Sequence, residues 1–545
     1  MKKSWVPTVC PVLLAILGVV LLALWVGAAT VRFEMRVPGM DGTPAPTERT
    51  DEPLAVAGEP IRGGGVPADI PGAWPAFRGA NRDAICDDGT TLARTWPAEG
   101  PPVLWRRALG EGYAGAVIRD GRVYLLDYVV DETVETLRGL KKAECKTLGD
   151  ALSGVTPEAF DGIDKLLRKL SPGADEETTE ALRELFAEEG EDLIGALRDD
   201  ALDRVDRSTD TMLCLSLADG REIWRNSYPA IVQWNHGMSR TTPTMVGDCV
   251  VSIGPRCHVA CWDAQTGHCR WLIDMVKQFD SEERQWYTGQ CPLADGDRVI
   301  LAPCGPDSLM IAVDYKTGDI IWQTPNPRKW KMSHCSIMPM EFAGRKMYLY
   351  CGNGGTVGVS AEDGSLLWDE TEWVEHYATS PSPVPLPDGR ILLSSGYDEI
   401  GAMMLRLKEA DGAVVAEKEF TLMENQFNSE HHTPIFYGGY LYAVRKYRGQ
   451  LLCLDLKGNE LWHSGRQKFG HGPYMIADGL ICALSDRGLL VTAEATPIAY
   501  RQRAEFRVFE RGREAWAPMA MAAGRLIVRD STDMACLDVR SAGGG

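Results

Sequence analysis

The sequence predicts an all-β fold, an eight-bladed β-propeller of four-stranded blades, with a seven-bladed propeller as the alternative. Three observations predict it: a hairpin that ends in tryptophan recurs five times, a second hairpin precedes each copy, and the two ends of the chain supply complementary parts of one more unit. The units repeat at about 40–48 residues, which is typical of propeller blades. An N-terminal transmembrane helix and an α-helical insertion in the first blade are predicted in addition.

The N-terminus begins with Lys2 and Lys3 and then has no charged residue from position 4 to 31. Its apolar stretch of roughly 20 residues matches the thickness of a bilayer. Residues 1–31 are therefore predicted to be a membrane anchor, with a cleaved signal peptide as the alternative. The lysines favour a propeller outside the cytoplasm, in the periplasm or cell envelope, or secreted if the segment is cleaved. Residues 32–72 are predicted to be a flexible linker, followed by the propeller at 73–545.

The recurring hairpin consists of a strand, an Asp-x-x-Thr-Gly or Asp-Gly turn, and a second strand that ends in tryptophan. Glycine supplies the positive φ that the turn needs, and alternating apolar residues give each strand one buried face. The terminal tryptophan is expected to pack against the neighbouring unit. These structural tryptophans are Trp224, Trp271, Trp322, Trp368 and Trp462, and Trp105 occupies a similar position in "PPVLWRRALG".

The chain ends predict how the propeller closes. Residues 517–539 supply three strands of a last blade, whereas residues 101–110 supply a single strand of the fourth kind. If this N-terminal strand completes the last blade, eight blades form and no open edge remains. Two internal units, near 401–420 and 472–509, are degraded copies of the repeat, and a seven-bladed propeller results if one of them is a loop.

Residues 131–210 interrupt the first unit and are predicted to be an acidic α-helical insertion. They contain 22 Asp and Glu against 11 Lys and Arg, and apolar residues recur at helical spacing. The loop that carries them leaves the same face as the loops between blades, so the insertion is expected over the channel mouth. It is either a passive cap or a surface that binds a partner.

Six of the nine histidines lie just before the first strand of a unit. The first strand is innermost in a propeller, so these side chains are expected around the channel mouth, where imidazoles suit a transition metal and aromatic rings suit a planar ligand. The alternative is that they are structural loop residues. His431 and His432 are adjacent, and in an extended segment only one can face the mouth. The candidate ligand site comprises His236, His334, His376, His432, His471, Trp234 and Trp286, with Trp373 and Trp516 in equivalent loops.

Charge and motifs exclude several classes of protein. A net charge of -19 without a basic block argues against nucleic-acid binding. Neither a CxxCH haem attachment nor paired CxxC zinc spacing occurs among the 15 cysteines, which are expected to be mostly buried thiols. The identity of any metal, and any cofactor-binding residues, are left open by the sequence.

The Asp-x-x-Thr-Gly-x-x-x-Trp turns, together with "AWPAFRGANRDAI", resemble the quinoprotein-type (PQQ-like) β-propeller repeat family over residues 73–540. That family includes the propeller lipoprotein of outer-membrane assembly and quinoprotein alcohol dehydrogenases. An enzyme of this kind would bind pyrroloquinoline quinone (PQQ) and calcium in the channel, next to two adjacent cysteines. The sequence has no Cys-Cys dipeptide, so no catalytic residue is carried over.

The predicted function is a membrane-tethered, non-catalytic module outside the cytoplasm that binds a protein partner or acts as a scaffold in the cell envelope. The membrane is contacted through the N-terminal helix, and the protein partner is expected on the propeller face. No cofactor is predicted, with PQQ and calcium as the possible ones. The alternative is a quinoprotein-type oxidoreductase, a PQQ-dependent dehydrogenase, or a binder of a small ligand or metal in the channel.

Overall fold

The computed structural model describes residues 57–137, 202–233, 240–374, 378–395, 397 and 401–541. Their strands form eight sheets, and each sheet contains four neighbouring strands in order from an inner to an outer strand. The first strands of neighbouring sheets contact one another, so they line the centre. The predicted eight-bladed propeller of four-stranded blades is confirmed, and the seven-bladed alternative is wrong.

The blades are numbered in chain order, and each is given from its inner to its outer strand. Blades 1 to 4 are β4 Val117–Arg119, β5 Arg122–Leu137, β6 Leu202–Ser216 and β7 Glu222–Gln233; β8 Thr244–Val246, β9 Cys249–Ile253, β10 His258–Asp263 and β11 Cys269–Asp274; β12 Leu293–Asp295, β13 Arg298–Leu301, β14 Met310–Asp314 and β15 Ile320–Thr324; β16 Met338–Phe342, β17 Arg345–Gly352, β18 Gly355–Ser360 and β19 Leu366–Glu370.

Blades 5 to 8 follow the same order. They are β20 Val384–Pro385, β21 Arg390–Ser394, β22 Ala402–Ala410 and β23 Ala413–Leu422; β24 Ile435–Tyr437, β25 Tyr440–Val444, β26 Leu451–Leu454 and β27 Glu460–His463; β28 Tyr474–Ala477, β29 Leu480–Leu484, β30 Leu489–Glu494 and β31 Gln502–Arg507; β32 Ala520–Ala522, β33 Arg525–Arg529, β34 Asp533–Asp538 and β3 Val103–Ala108. The short elements outside this pattern are β1 Ile61–Arg62, β2 Ile85–Cys86 and the helix α1 Met275–Phe279.

Blade 8 combines the two ends of the propeller, as the sequence predicts. Strand β3 pairs antiparallel with β34, and Trp105 lies opposite Cys536. Backbone hydrogen bonds thus join a strand near residue 105 to strands near residue 530. Closure of this kind leaves neither end of the ring of blades open.

Most of the repeated tryptophans pack against the next blade. The ring of Trp224 lies against Gly267 in the turn of blade 2, where a Cβ would come within 2.6 Å of the ring. Its indole N–H donates to the carbonyl of Ala264 in the same turn, at 3.1 Å. The turn glycine therefore has two functions: its φ of 80° is disfavoured for other residues, and its missing side chain makes room for the ring.

The same contact recurs around the propeller. The indoles of Trp271, Trp462 and Trp105 donate to carbonyls of the following blade, namely those of Tyr315, Thr496 and Leu217. Trp322 packs on Gly364 of blade 4, whereas the indole of Trp368 points to the sulfur of Met347 within its own blade. The contact between a terminal tryptophan and the turn of the next blade is the physical reason for the motif from which the fold was predicted.

Part of the predicted linker belongs to the propeller. Strand β1 pairs with the outer strand β7, with Ile61 opposite Arg225. The amide of Gly58 donates to the carbonyl of Ser227 at 2.9 Å. Further along, the amide of Ala68 donates to the carbonyl of Gly121 at 3.0 Å. The linker prediction is therefore corrected for these residues, because their backbone groups find partners on the edge of blade 1.

The predicted anchor at 1–31 and most of the predicted insertion lie outside the described residues. The ends of the insertion are corrected: residues 131–137 and 202–210 continue β5 and β6 as paired strands rather than helix. Within the described part of the chain, α1 is the one helix, and none is long and apolar enough to cross a membrane.

The thirteen described cysteines are all free thiols, and all except Cys269 are buried. Cys261 illustrates their role, since it packs inside β10 and its thiol donates to the carbonyl of Tyr315 in the next blade at 3.5 Å. Burial raises the pKa of Cys257 to about 12. The buried thiols act as small core residues, and the raised pKa keeps Cys257 protonated near neutral pH.

Candidate functional site at the propeller mouth

Two kinds of loop leave the same face of the propeller: those that join one blade to the next and those that join the second and third strands of a blade. Because neighbouring strands of a blade are antiparallel, both kinds begin or end at the same edge. These loops bring seven aromatic side chains together, which we call the mouth cluster: Tyr113, Trp286, His334, Tyr397, His431, His471 and Trp516.

The mouth cluster is a continuous series of ring contacts. Trp286 lies 6.0 Å from His334 and 5.5 Å from Tyr397, measured between ring centroids. Tyr397 lies 5.7 Å from His431. At the far end, Trp516 lies 4.9 Å from Tyr113, so side chains from loops of six different blade junctions and one blade interior are in contact.

His431 is at the centre of the cluster. Its ring stacks on that of His471 at 4.3 Å and meets the edge of Trp516 at 4.9 Å. Its Nε2 shares a hydrogen bond with the hydroxyl of Tyr397. The ring is therefore held by contacts on several sides, and its orientation is fixed by residues that come from three other loops.

Acidic and basic groups flank the cluster. The Nδ1 of His471 lies 3.1 Å from the Oε2 of Glu430. Asp486 accepts from the amide of His471 at 2.6 Å and from the indole of Trp516 at 3.0 Å. Arg240 lies over the ring of Tyr113, 5.4 Å from its centroid. Burial raises the pKa of both carboxyl groups, because the charged form loses its hydration.

Burial has the opposite effect on the histidines. It lowers the pKa of His334 and of His432 to about 3, and that of His431 well below its usual value. The nearby guanidinium groups of Arg240 and Arg284 add to the shift at His334. These three imidazoles are therefore neutral at physiological pH.

The two adjacent histidines have different neighbours, and the one in the cluster is not the predicted one. His431 joins the cluster, whereas His432 packs edge-on against Tyr474, with 6.1 Å between ring centroids. The segment is bent at residues 430–432 rather than extended, so the two rings do not point to opposite sides. Both line one narrow cavity together with His471. The prediction that favoured His432 assumed an extended backbone.

Sequence analysis identified part of the cluster. The structure places His334, His471 and Trp286 in the mouth cluster, together with Trp516. His236, His376 and Trp234 lie outside the described residues. Trp373 is buried in the core, where its amide donates to the Oε2 of Glu370 at 3.1 Å.

Three members or neighbours of the cluster were missed: Tyr113, Tyr397 and Arg240. Tyr113 and Arg240 lie in loops between blades, and Tyr397 lies between β21 and β22. The predicted strand order assigns all three residues to the mouth face. Their position in the repeat, rather than their residue type, was therefore the signal that could have identified them. None of the three is a histidine or a tryptophan, the residue types from which the candidate site was predicted.

Backbone strain accompanies the cluster at one point. Trp286 and Tyr287 both adopt left-handed conformations, with φ of 66° and 65°. Large side chains disfavour this region at a cost of about 1–3 kcal/mol each, and such strain persists only where surrounding contacts impose it. Trp286 is 7% exposed, which indicates that its packing imposes the conformation.

The cavity beside the cluster is too small for a quinone cofactor. It is about 10 Å³ in volume and is lined by Glu430, His431, His432, Val444, Lys446, Gly470, His471, Gly472 and Tyr474. Such a volume holds about one water molecule, whereas cofactor pockets measure about 300–1,000 Å³. This cavity therefore does not fit PQQ.

The described residues do not provide a metal centre either, since no group of three or more His, Cys, Asp or Glu side chains in them has suitable geometry. Buried nitrogen atoms of Trp286 and His334 make no hydrogen bond to the described part of the chain. A water molecule would satisfy such atoms.

A family model matches part of the chain. Residues 209–460 match the family model described as outer membrane protein assembly factor BamB. No curated protein matches the sequence. Among solved structures, BamB from Moraxella catarrhalis is 13% identical, with a TM-score of 0.40, and the match covers 57% of this chain and 86% of that one.

Two enzymes have similar values. Quinohemoprotein alcohol dehydrogenase ADHIIG from Pseudomonas putida HK5 is 9% identical, with a TM-score of 0.39 and coverage of 88% of this chain and 83% of that one. A europium-containing methanol dehydrogenase is 12% identical, with a TM-score of 0.38 and coverage of 84% and 89%. The family match over residues 209–460 and the eight-bladed propeller together confirm the resemblance of this chain to the PQQ-like β-propeller repeat family.

Proposed function

We propose that this protein is a non-catalytic protein-binding module of the cell envelope, tethered to the membrane through its N-terminal segment with the propeller outside the cytoplasm. The observation that carries the proposal is the closed mouth cluster. Ring contacts between 4.3 and 6.0 Å join the side chains of the described mouth, and the cavity beside them measures about 10 Å³. A surface of this kind offers contacts to another macromolecule rather than a chamber for a reaction.

The family match supports the same function. The matched model describes an outer membrane protein assembly factor, and assembly of other proteins requires contacts with them. The sequence supports the location, because Lys2 and Lys3 precede an apolar N-terminal stretch. Fold alone would not decide between binding and catalysis, since one fold carries unrelated activities.

The main competitor is a PQQ-dependent dehydrogenase that uses the channel. It requires a cofactor chamber, and the arrangement of His431, His471 and Trp516 argues against one at the described mouth. The double variant His431→Ala with Trp516→Ala removes two rings from the cluster. If ring packing is what excludes the quinone, the variant takes up more PQQ than the wild type does.

The experiment measures both functions on the full chain in detergent. Absorbance spectra, calcium content and dye reduction are recorded with PQQ, calcium chloride and primary alcohols, and lysine-directed cross-linking is carried out in envelope membranes. We expect neither dye reduction nor stoichiometric PQQ uptake by the wild type, and a saturable cross-link to a defined envelope protein. Stoichiometric uptake with dye reduction would overturn the proposal, as would the absence of any saturable cross-link.

A further inference from the structure

The outer strand of most blades contains one residue that has no partner on the neighbouring strand, immediately before the repeated tryptophan. In blade 1, Trp224 pairs with Cys214 and Glu222 pairs with Leu215, so that Ile223 is skipped. In blade 3, Ile321 is skipped in the same way. We call these the bulge residues of the outer strands. A bulge disrupts a strand edge locally and usually discourages pairing.

In blade 1 the bulge does not prevent pairing, because the chain itself adds a fifth strand there. The amide of Gly63 donates to the carbonyl of Ile223 at 2.9 Å, and that of Gly65 donates to the carbonyl of Glu222 at 2.8 Å. Under this cover Ile223 is only 7% exposed. The edge of a blade in this protein can therefore bind an extended segment.

The same position is exposed in other blades. Ile321 of blade 3 is 45% exposed, Leu461 of blade 6 is 41% exposed and Leu104 of blade 8 is 36% exposed. In blade 3 the preceding residue, Ile320, is exposed as well, at 49%. Within the described part of the chain, no strand pairs with the outer side of β15.

Charge distinguishes blade 3 from the others. Strand β15 has the sequence IIWQT, and it is the one outer strand of the eight without a charged residue. The other outer strands read EIWRNSYPAIVQ, CRWLID, LLWDE, AVVAEKEFTL, ELWH, QRAEFR and VLWRRA. Charged side chains are a common means of preventing pairing at a strand edge. Blade 3 therefore has the most exposed pair of apolar residues and no charged residue on its outer strand to prevent pairing.

We propose that strand β15 of blade 3 binds an extended, glycine-containing segment of a partner protein as a fifth strand. The inference deepens the proposed function and rests on it, because it names the surface and the kind of partner. Backbone hydrogen bonds to the edge supply affinity, and apolar contact with Ile320 and Ile321 supplies selectivity among the blades.

The cover of blade 1 shows what the partner must look like. A Cβ at position 63 would lie 2.0 Å from the carbonyl oxygen of Glu222, and one at position 65 would lie 2.6 Å from that of Arg221. At position 64 a Cβ would meet nothing within 4 Å. The partner segment thus needs glycine at two alternate positions, while the residue between them is unrestricted.

The direct test uses a fluorescent peptide with the sequence of residues 57–66, AGEPIRGGGV, and the full chain in detergent. Fluorescence anisotropy measures its binding to the wild type and to Ile321→Glu. We expect saturable binding below about 1 mM, weakened at least about tenfold by the substitution. The control Leu461→Glu changes a bulge residue of similar exposure on the charged edge of blade 6, and it should leave binding unchanged.

Peptide variants test the glycine requirement. Valine at the positions of Gly63 and Gly65 should weaken binding by about tenfold or more, whereas valine at the position of Gly64 should not. Failure of the wild type to bind the peptide, or equal binding by Ile321→Glu, would overturn the inference. The cross-link in envelope membranes separates the two proposals. If Ile321→Glu still forms the cross-link, the protein binds its partner at another surface and the inference about β15 fails. If the wild type does not form it, the proposed function itself fails. Thermal unfolding of each variant verifies that it is folded.

Discussion

The mouth of the propeller and its outer edges differ in how far their side chains and strand edges have partners in the described part of the chain. At the mouth, rings from several loops contact one another. His431 by itself has three such contacts, with Tyr397, His471 and Trp516. At the edges, the same repeated position is covered in blade 1 and bare in blade 3. The contrast is between a mouth whose described rings contact one another and an outer edge, that of blade 3, which no described strand covers. The predictions below test both sides of this comparison.

The largest effect is expected where an edge tryptophan joins two blades. Trp224→Ala should reduce the free energy of unfolding by about 3–5 kcal/mol, because the ring is fully buried against blade 2. Trp271→Ala should cost roughly half as much, since that ring is only partly buried. Urea denaturation of both variants checks the order. Equal losses would mean that burial does not determine what these contacts contribute.

Acid should destabilise the mouth more than the edges. The folded-state pKa of His432 is about 3, against an ordinary value of 6.5, so the unfolded chain binds the proton first. Its contribution to stability is complete above about pH 6.5 and is lost as the pH falls towards 3, with a limiting slope of about 1.4 kcal/mol per pH unit. His334 acts in the same direction. Thermal unfolding between pH 7 and 4 should show a shallower decline for His432→Gln.

A buried carboxyl group between blades should change the stability of the protein with pH in the opposite direction. Burial raises the pKa of Asp210 to about 6. Its contribution favours the folded state below its unfolded pKa of about 3.9 and is lost as the pH rises through 6. Asp210→Asn should therefore stabilise the protein at pH 7 and have little effect at pH 4. A destabilised variant at pH 7 would indicate that the carboxylate is held by favourable contacts.

The centre of the mouth should respond to loss of one ring. His431→Ala should reduce the free energy of unfolding by about 2 kcal/mol, because the hydroxyl of Tyr397 loses its partner and three ring contacts disappear. His431→Phe keeps a ring and should recover about half of the loss. Chemical denaturation measures both. No loss in the alanine variant would mean that the cluster is loosely packed.

The smallest effect is expected at the covered edge. Gly63→Ala should release β1, because the new Cβ would lie 2.0 Å from the carbonyl oxygen of Glu222, yet it should cost only about 1 kcal/mol overall. Gly64→Ala is the matched control, as its Cβ has open space. Amide hydrogen exchange of residues 58–65 should become faster in the first variant alone. Equal exchange in both would show that the cover does not depend on glycine at position 63.

Local sequence patterns allowed most of the fold to be predicted. The turn glycines and terminal tryptophans that define the repeat are the groups that touch across blade boundaries, as Trp224 and Gly267 do. The strand at Val103–Ala108 was assigned to the last blade because it supplied what the C-terminal unit lacked. The site was predicted less completely, because residues such as Tyr397 and Arg240 belong to no motif and reach the mouth only through their loops.

The sequence by itself therefore determined the repeat and its four-stranded unit, because turn chemistry and strand alternation are local, and it left eight and seven blades open. Only the tertiary structure decided which of two adjacent histidines enters the cluster, since a bend at residues 430–432 sets their directions. It also decided that residues 58–65 cover blade 1 while Ile321 stays bare, because pairing between strands distant in sequence depends on which edges the folded blades leave open.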